Sequence, residues 1–148
     1  MLKKKLHEHC INFIQEKLNI LKHRKTELIN ALESEDKSSA GDKHETGRAM
    51  IQIEREKLGR HFIENEKYLT KLNSIIENTS LVSVSFGSLV ITNNTNYYLS
   101  IPAGCIKLSH KTFCCISLKS PMGLLLIGKE VGDQICYNNI TSEILEIK

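Results

Sequence analysis

Glu33-Ser34-Glu35-Asp36-Lys37-Ser38-Ser39-Ala40-Gly41-Asp42-Lys43-His44-Glu45 decides how this chain folds. Serines, a glycine and clustered acids break a helical pattern at 33–41 and mark a turn. Before it, apolar residues at 2, 6, 14, 18, 21, 28 and 32, with Ile11 and Ile29 alongside, step by threes, fours and their sums. That spacing lays one apolar stripe along a helix. After it, Met50, Ile53, Leu58, Phe62, Leu69, Leu72 and Ile76 restore a stripe, weaker around Asn65 and Glu66. Two helices of similar length with a short connection pack antiparallel. A pair of this kind is a coiled-coil hairpin with charged outer faces. Asp42 and Glu45 would then sit at its end, in an acidic tip near 33–45.

The 148 residues divide unevenly in charge. Residues 1–77 hold 15 Lys/Arg and 13 Asp/Glu, whereas 78–148 hold only 5 and 4. The first part is a solvated element, and the second is apolar enough to build a core. Two domains are expected, a hairpin over 1–77 and a small β-rich domain over 78–148. A net charge of +3 is too mild for a nucleic-acid footprint. No apolar stretch approaches membrane-spanning length, and the basic start Lys3-Lys4-Lys5 runs into His7-Glu8-His9 rather than a signal-peptide core. The chain reads as cytoplasmic, with no membrane partner. Its five cysteines, at 10, 105, 114, 115 and 136, are irregularly spaced and lack a CxxC, which predicts reduced core thiols. His7 and His9 diverge around a helix and make a poor metal pair; a frayed, solvated terminus is expected there.

Beyond Asn78-Thr79-Ser80 the periodicity changes. Val82, Val84 and Phe86 alternate with serines, which is strand spacing. Residues 97–101, 113–118, 134–137 and 143–147 are further strand candidates, and Asn93-Asn94-Thr95-Asn96 reads as a turn. Ser120-Pro121-Met122-Gly123-Leu124-Leu125-Leu126-Ile127-Gly128 reads as a short helix. Ser120 suits the N-cap, Pro121 the first helical position and Gly128 the stop.

Asp42-x-x-Glu45 supports two readings. As a capping box, Asp42 would start the second helix and Glu45 would stand at its third position. As a site, residues three apart share one helical face, and two carboxylates side by side suit a hard divalent ion such as Mg²⁺. Such a pair would complete a half-built metal site in a partner rather than hold an ion by itself.

Gly41-Asp42-Lys43-His44-Glu45 resembles the Gly-Asp-x-x-Glu tip of the bacterial Gre transcript-cleavage factors. The second half is similar to their C-terminal domain over a longer block. Phe86-Gly87-Ser88-Leu89-Val90 looks like that domain's opening strand, and Ile116-Ser117-Leu118-Lys119-Ser120-Pro121-Met122-Gly123 through Gly128-Lys129-Glu130-Val131-Gly132-Asp133 looks like its signature. The resemblance implies an α+β fold, an N-terminal antiparallel coiled-coil hairpin followed by a small FKBP-like β-rich domain with one short helix. It implies a transcription elongation factor that binds bacterial RNA polymerase in its secondary channel and stimulates cleavage of backtracked RNA. Asp42 and Glu45 would assist catalysis by sharing the polymerase's second Mg²⁺, touching the nascent RNA 3′ end only indirectly. Ser120, Pro121 and Met122 would fall on the docking segment. The chain would not be an enzyme by itself and would need no cofactor alone. The family tip usually continues Asn-Ala-Glu-Tyr, whereas this chain has Thr46-Gly47-Arg48-Ala49. That departure gives the alternative expectation: a secondary-channel regulator that does not promote cleavage.

Overall fold

Thirty-five residues without Gly or Pro carry α1 from Leu2 to Asp36, and α2 follows over Gly41–Asn73. The structure is a computed structural model that describes residues 2–36, 41–75 and 82–148, leaving out the side chains of 35, 36 and 41–44. Asn78-Thr79-Ser80 and the expected domain boundary at 77/78 lie outside the described residues. After the helices come β1 (Leu89–Thr92), β2 (Asn96–Leu99), β3 (Gly104–Leu108), β4 (Lys111–Ile116), α3 (Pro121–Leu126), β5 (Gln134–Tyr137) and β6 (Ile140–Ile147). The fold is α+β: a helical hairpin, then a six-stranded sheet with one short helix.

Two compact units divide the chain. The helical unit is Ile14–Leu69; the sheet unit combines Met1–Phe13 with Thr70–Lys148. Within the helical unit, Lys17 and Leu21 share a gap with His61 and Asn65, and Lys25 shares another with Arg55. Rising numbers in α1 meet falling numbers in α2, so the helices run antiparallel. The less exposed residues of each helix recur at alternating steps of four and three, the seam spacing of a coiled coil. They are Ile14, Leu18, Leu21, Leu28 and Leu32 on α1 and Ile51, Leu58, Phe62, Asn65 and Leu69 on α2, and the exposed Lys25 and Arg55 fall on the same spacing. This corrects the expected stripe on α2. Met50 and Ile53 are 65% and 64% exposed, and Ile51 takes the inner position instead. Asn65, where the stripe weakened, is buried and donates its Nδ2 proton to the His61 carbonyl at 2.7 Å.

The sheet runs β3-β4-β2-β1-β6-β5. All neighbours are antiparallel except β2 and β4, whose parallel pairing leaves β3 to make the crossover. Two-residue hairpins join β3 to β4 and β5 to β6, with positive φ at Ser109, His110, Asn138 and Asn139. That twist matches the strands, and Asn tolerates it better than Ser or His. Val84, Val90, Leu99, Leu126, Ile135, Ile144 and Ile147 form the core, which Tyr97, Ile116, Leu118 and Met122 border. Each buried aliphatic side chain contributes about 1.5–3 kcal/mol.

Four expectations give way here. Glu33–Asp36 continues α1 and Gly41 belongs to α2, so both ends of the expected turn over 33–41 are helical instead. Val82–Phe86 is not a strand: Val82 is 70% exposed, and Ser83 makes only an isolated bridge to Glu130. The N-terminus is not a frayed solvated end. His7 Nδ1 is 3.3 Å from the Tyr98 hydroxyl, His9 Nε2 donates to the Ala103 carbonyl at 3.0 Å, and the Cys10 thiol is 3.4 Å from Ser100 Oγ. Nor are all the cysteines reduced. Cys105 and Cys114 are directly opposed across β3 and β4, with Cα atoms 4.0 Å apart, and form a disulfide. Cys115, on the other face of β4, is buried as a free thiol, as its alternation with Cys114 requires.

Candidate functional site

Ser117 begins the better-defined of two candidate sites. Its carbonyl accepts hydrogen bonds from Ser120 N at 3.1 Å and Ser120 Oγ at 2.6 Å. Ser120 Oγ in turn accepts from Gly123 N at 3.0 Å, the expected N-cap, with Pro121 at the start of α3. Gly123 is obligatory, because a Cβ there would overlap the carbonyl oxygens of Ser117 and Leu118. Gly128 stops the helix at φ +77° and donates to the Val84 carbonyl at 2.9 Å, while Val84 N donates to Lys129 O at 2.8 Å. Further on, Asp133 Oδ2 accepts from Glu130 N at 2.7 Å, and Gly132 N donates to Ile144 O at 2.8 Å. Residues 117–133 are therefore held by backbone bonds on both sides, which fixes what they present to solvent.

What they present is apolar. Leu124 is 64% exposed, Ile127 47% and Val131 55%, whereas Leu126 on the opposite side of α3 is fully buried. Exposed single aliphatics are ordinary, but several on one rigid segment are a feature of interaction surfaces. Ser120 is spent on the cap, Met122 is half-buried against the core, and Pro121 is exposed. Of the three expected docking residues, Pro121 is open to solvent and the other two mainly build the platform. Leu124, Ile127 and Val131 were missed by sequence reasoning, although one helical turn separates Leu124 from Ile127.

The second candidate is the carboxylate pair. Asp42 and Glu45 both belong to α2, near its beginning, so their spacing puts them on one helical face. A cap at Asp42 would start the helix at residue 43, whereas α2 is assigned from Gly41, two residues earlier. The Asp42 side chain lies outside the described residues; Glu45 is exposed. Two carboxylates one turn apart offer a minority of the six oxygen positions an Mg²⁺ takes, so this donor set fits a shared ion rather than one of its own. Among the described residues, no group of three His, Cys, Asp or Glu is placed to hold a metal.

A third cluster of chemical groups lies inside the sheet unit. Cys10 and Cys115 are buried together, and Cys115 donates its thiol proton toward Cys10. That hydrogen bond, together with burial, pushes the Cys115 pKa far up and holds the thiol protonated. Burial, and the neighbouring Cys10 and Cys115, also raise the Tyr98 phenol. Hydrogen bonds from Cys115 and then Ser100 lower the Cys10 pKa against the effect of burial, but Cys10, Cys115 and Tyr98 are all buried away from solvent.

No helix among the described residues is long and apolar enough to cross a membrane. No protein-family model matches the sequence, and no curated protein does. The chain is similar to a solved structure described as "Structure of the transcription factor Gfh1", with 19% identity, a TM-score of 0.39, and 93% of this chain and 92% of that chain covered.

Proposed function

We propose that this chain is a Gre-like transcription factor that binds bacterial RNA polymerase in its secondary channel and stimulates hydrolysis of backtracked RNA. The observation that carries the reading is the signature-like block Ile116–Asp133. Its Ser-Pro cap, close-packed Gly123 and turn-forming Gly128 each have a structural reason to be where they are, and together they hold Leu124, Ile127 and Val131 outward. In this reading the sheet unit docks and the carboxylates at the start of α2 work at the polymerase centre. Asp42 and Glu45 contribute oxygens to a second Mg²⁺ held jointly with the polymerase, and orient a water toward the scissile phosphate. The chain acts through the polymerase and is not an enzyme alone; its setting is the cytoplasm.

Thr46-Gly47-Arg48 favours a second reading, in which the protein occupies the channel and modulates synthesis without cleavage. Docking is common to both. It is tested by measuring affinity for a bacterial core polymerase with wild type and Leu124→Asp. Because Leu124 is largely exposed, the substitution leaves the thermal midpoint unchanged and weakens binding by about ten-fold, equivalent to about 1.4 kcal/mol at an interface. Absence of wild-type binding contradicts both readings.

A further inference from the structure

Coiled-coil seams take apolar residues at nearly every layer, yet two successive layers of the helical unit carry a cation. Lys25 on α1 and Arg55 on α2 hold these seam positions and line the same cleft. Neighbouring like charges repel, and no ion pair among the described residues neutralises either cation or the neighbouring Lys22. Beside these layers the helices leave a space of about 400 Å³. Leu21, Leu58, Phe62 and Ile63 wall it. Gly59 opens onto it, and nothing lies within 4 Å of where a Gly59 side chain would begin.

The volume falls in the range of small-molecule sites, about 300–1,000 Å³. The lining combines three cationic side chains, Lys22, Lys25 and Arg55, with the hydrocarbon of Leu21, Leu58, Phe62 and Ile63. It contains no carboxylate, amide or hydroxyl side chain. An amine or a nucleobase would find no acceptor among these side chains, whereas an alkyl chain ending in an anion satisfies both kinds of lining at once. From Arg55 to Ile63 the helix rises about 12 Å, which suits a chain of medium length.

We propose that the cleft binds a medium-chain alkyl carboxylate, with its head between Lys25 and Arg55 and its chain over Leu21, Leu58 and Phe62. The site is independent of the polymerase reading and does not use Asp42 or Glu45. The test is calorimetric titration of the full chain with decanoate below its micelle concentration, with decyltrimethylammonium as the cationic control. Decanoate binds saturably, one molecule per chain, and the cation does not. Lys25→Gln/Arg55→Gln replaces two exposed side chains, keeps the helical circular dichroism and weakens decanoate about ten-fold. Gly59→Leu fills the cleft and abolishes binding. No saturable decanoate binding, equal binding of the cation, or unchanged affinity in the Lys25→Gln/Arg55→Gln chain overturns the proposal. Sedimentation of the ligand-free chain covers another occupant: a dimer that Gly59→Leu abolishes places a second copy in the cleft and overturns it as well.

Discussion

The helical unit and the sheet unit are stabilised in opposite ways. The sheet unit buries a continuous core, and its polar groups have named partners, from the Asn93 and Asn94 side chains that tie the β1–β2 turn to β6 to the cap at Ser120. In the helical unit only Ile14, Leu18 and Asn65 are buried among the described residues, and Ile20, Met50, Ile53 and Ile63 are more than half exposed. Its seam contains Lys25, Arg55 and Asn65 where a stability-driven coiled coil would place aliphatics. The difference teaches that fold stability is concentrated in the sheet unit. The helices keep polar and cationic seam positions, and an open cleft, at the expense of stability.

Core truncation should expose this contrast most strongly. Ile144→Ala, in the fully buried centre of the sheet unit, is expected to lower unfolding free energy by about 3 kcal/mol in urea denaturation. Leu58→Ala, half-buried beside the cleft, should cost about 1 kcal/mol. Equal losses would erase the distinction. Next in size is Gly123→Ala. Its methyl meets fixed backbone carbonyls, so a loss of about 2 kcal/mol is expected, accompanied by weakened polymerase docking.

Alkaline pH provides a sharper discrimination within the sheet unit. Burial first, and then Cys10 and Cys115, raise the folded-state pKa of Tyr98 above that of an unfolded tyrosine. A raised pKa means that the contribution is complete below the ordinary value near 10 and is lost as pH climbs beyond it. Stability should fall from about pH 10 upward by at most about 1.4 kcal/mol per pH unit from this group. Tyr98→Phe should flatten the slope; an unchanged slope would remove Tyr98 from the account. The smallest effect has the opposite sign. Asn65 spends its amide on a carbonyl within its own helix, so Asn65→Leu orphans no partner and should stabilise the chain by about 1 kcal/mol in the same urea titration.

Local signals were legible in the sequence, and distant ones were not. The α3 segment was readable because Ser120, Pro121 and Gly128 act on their immediate neighbours. The hairpin was readable from helical spacing, although Met50 and Ile53 were assigned inward because apolar character alone does not choose between adjacent stripes. Strand β3 was missed, since its exposed pattern gives little alternation, and with it went the register that opposes Cys105 to Cys114. His7, His9 and Cys10 looked solvated because their partners lie about ninety residues away, at Tyr98, Ala103 and Ser100. Of the candidate sites, the docking segment was legible as a helix but not as an exposed apolar ridge. At Asp42 and Glu45 a shared helical face is readable from spacing, while the chemistry proposed for them depends on a partner.

That chemistry is most directly tested by RNA cleavage in stalled, backtracked elongation complexes assembled with bacterial RNA polymerase and Mg²⁺. Wild-type protein is expected to shorten the RNA from its 3′ end, and Asp42→Asn/Glu45→Gln is expected to bind equally well without shortening it. Binding by wild type with no cleavage above the polymerase's own rate would contradict the account and leave the protein as a channel-occupying regulator.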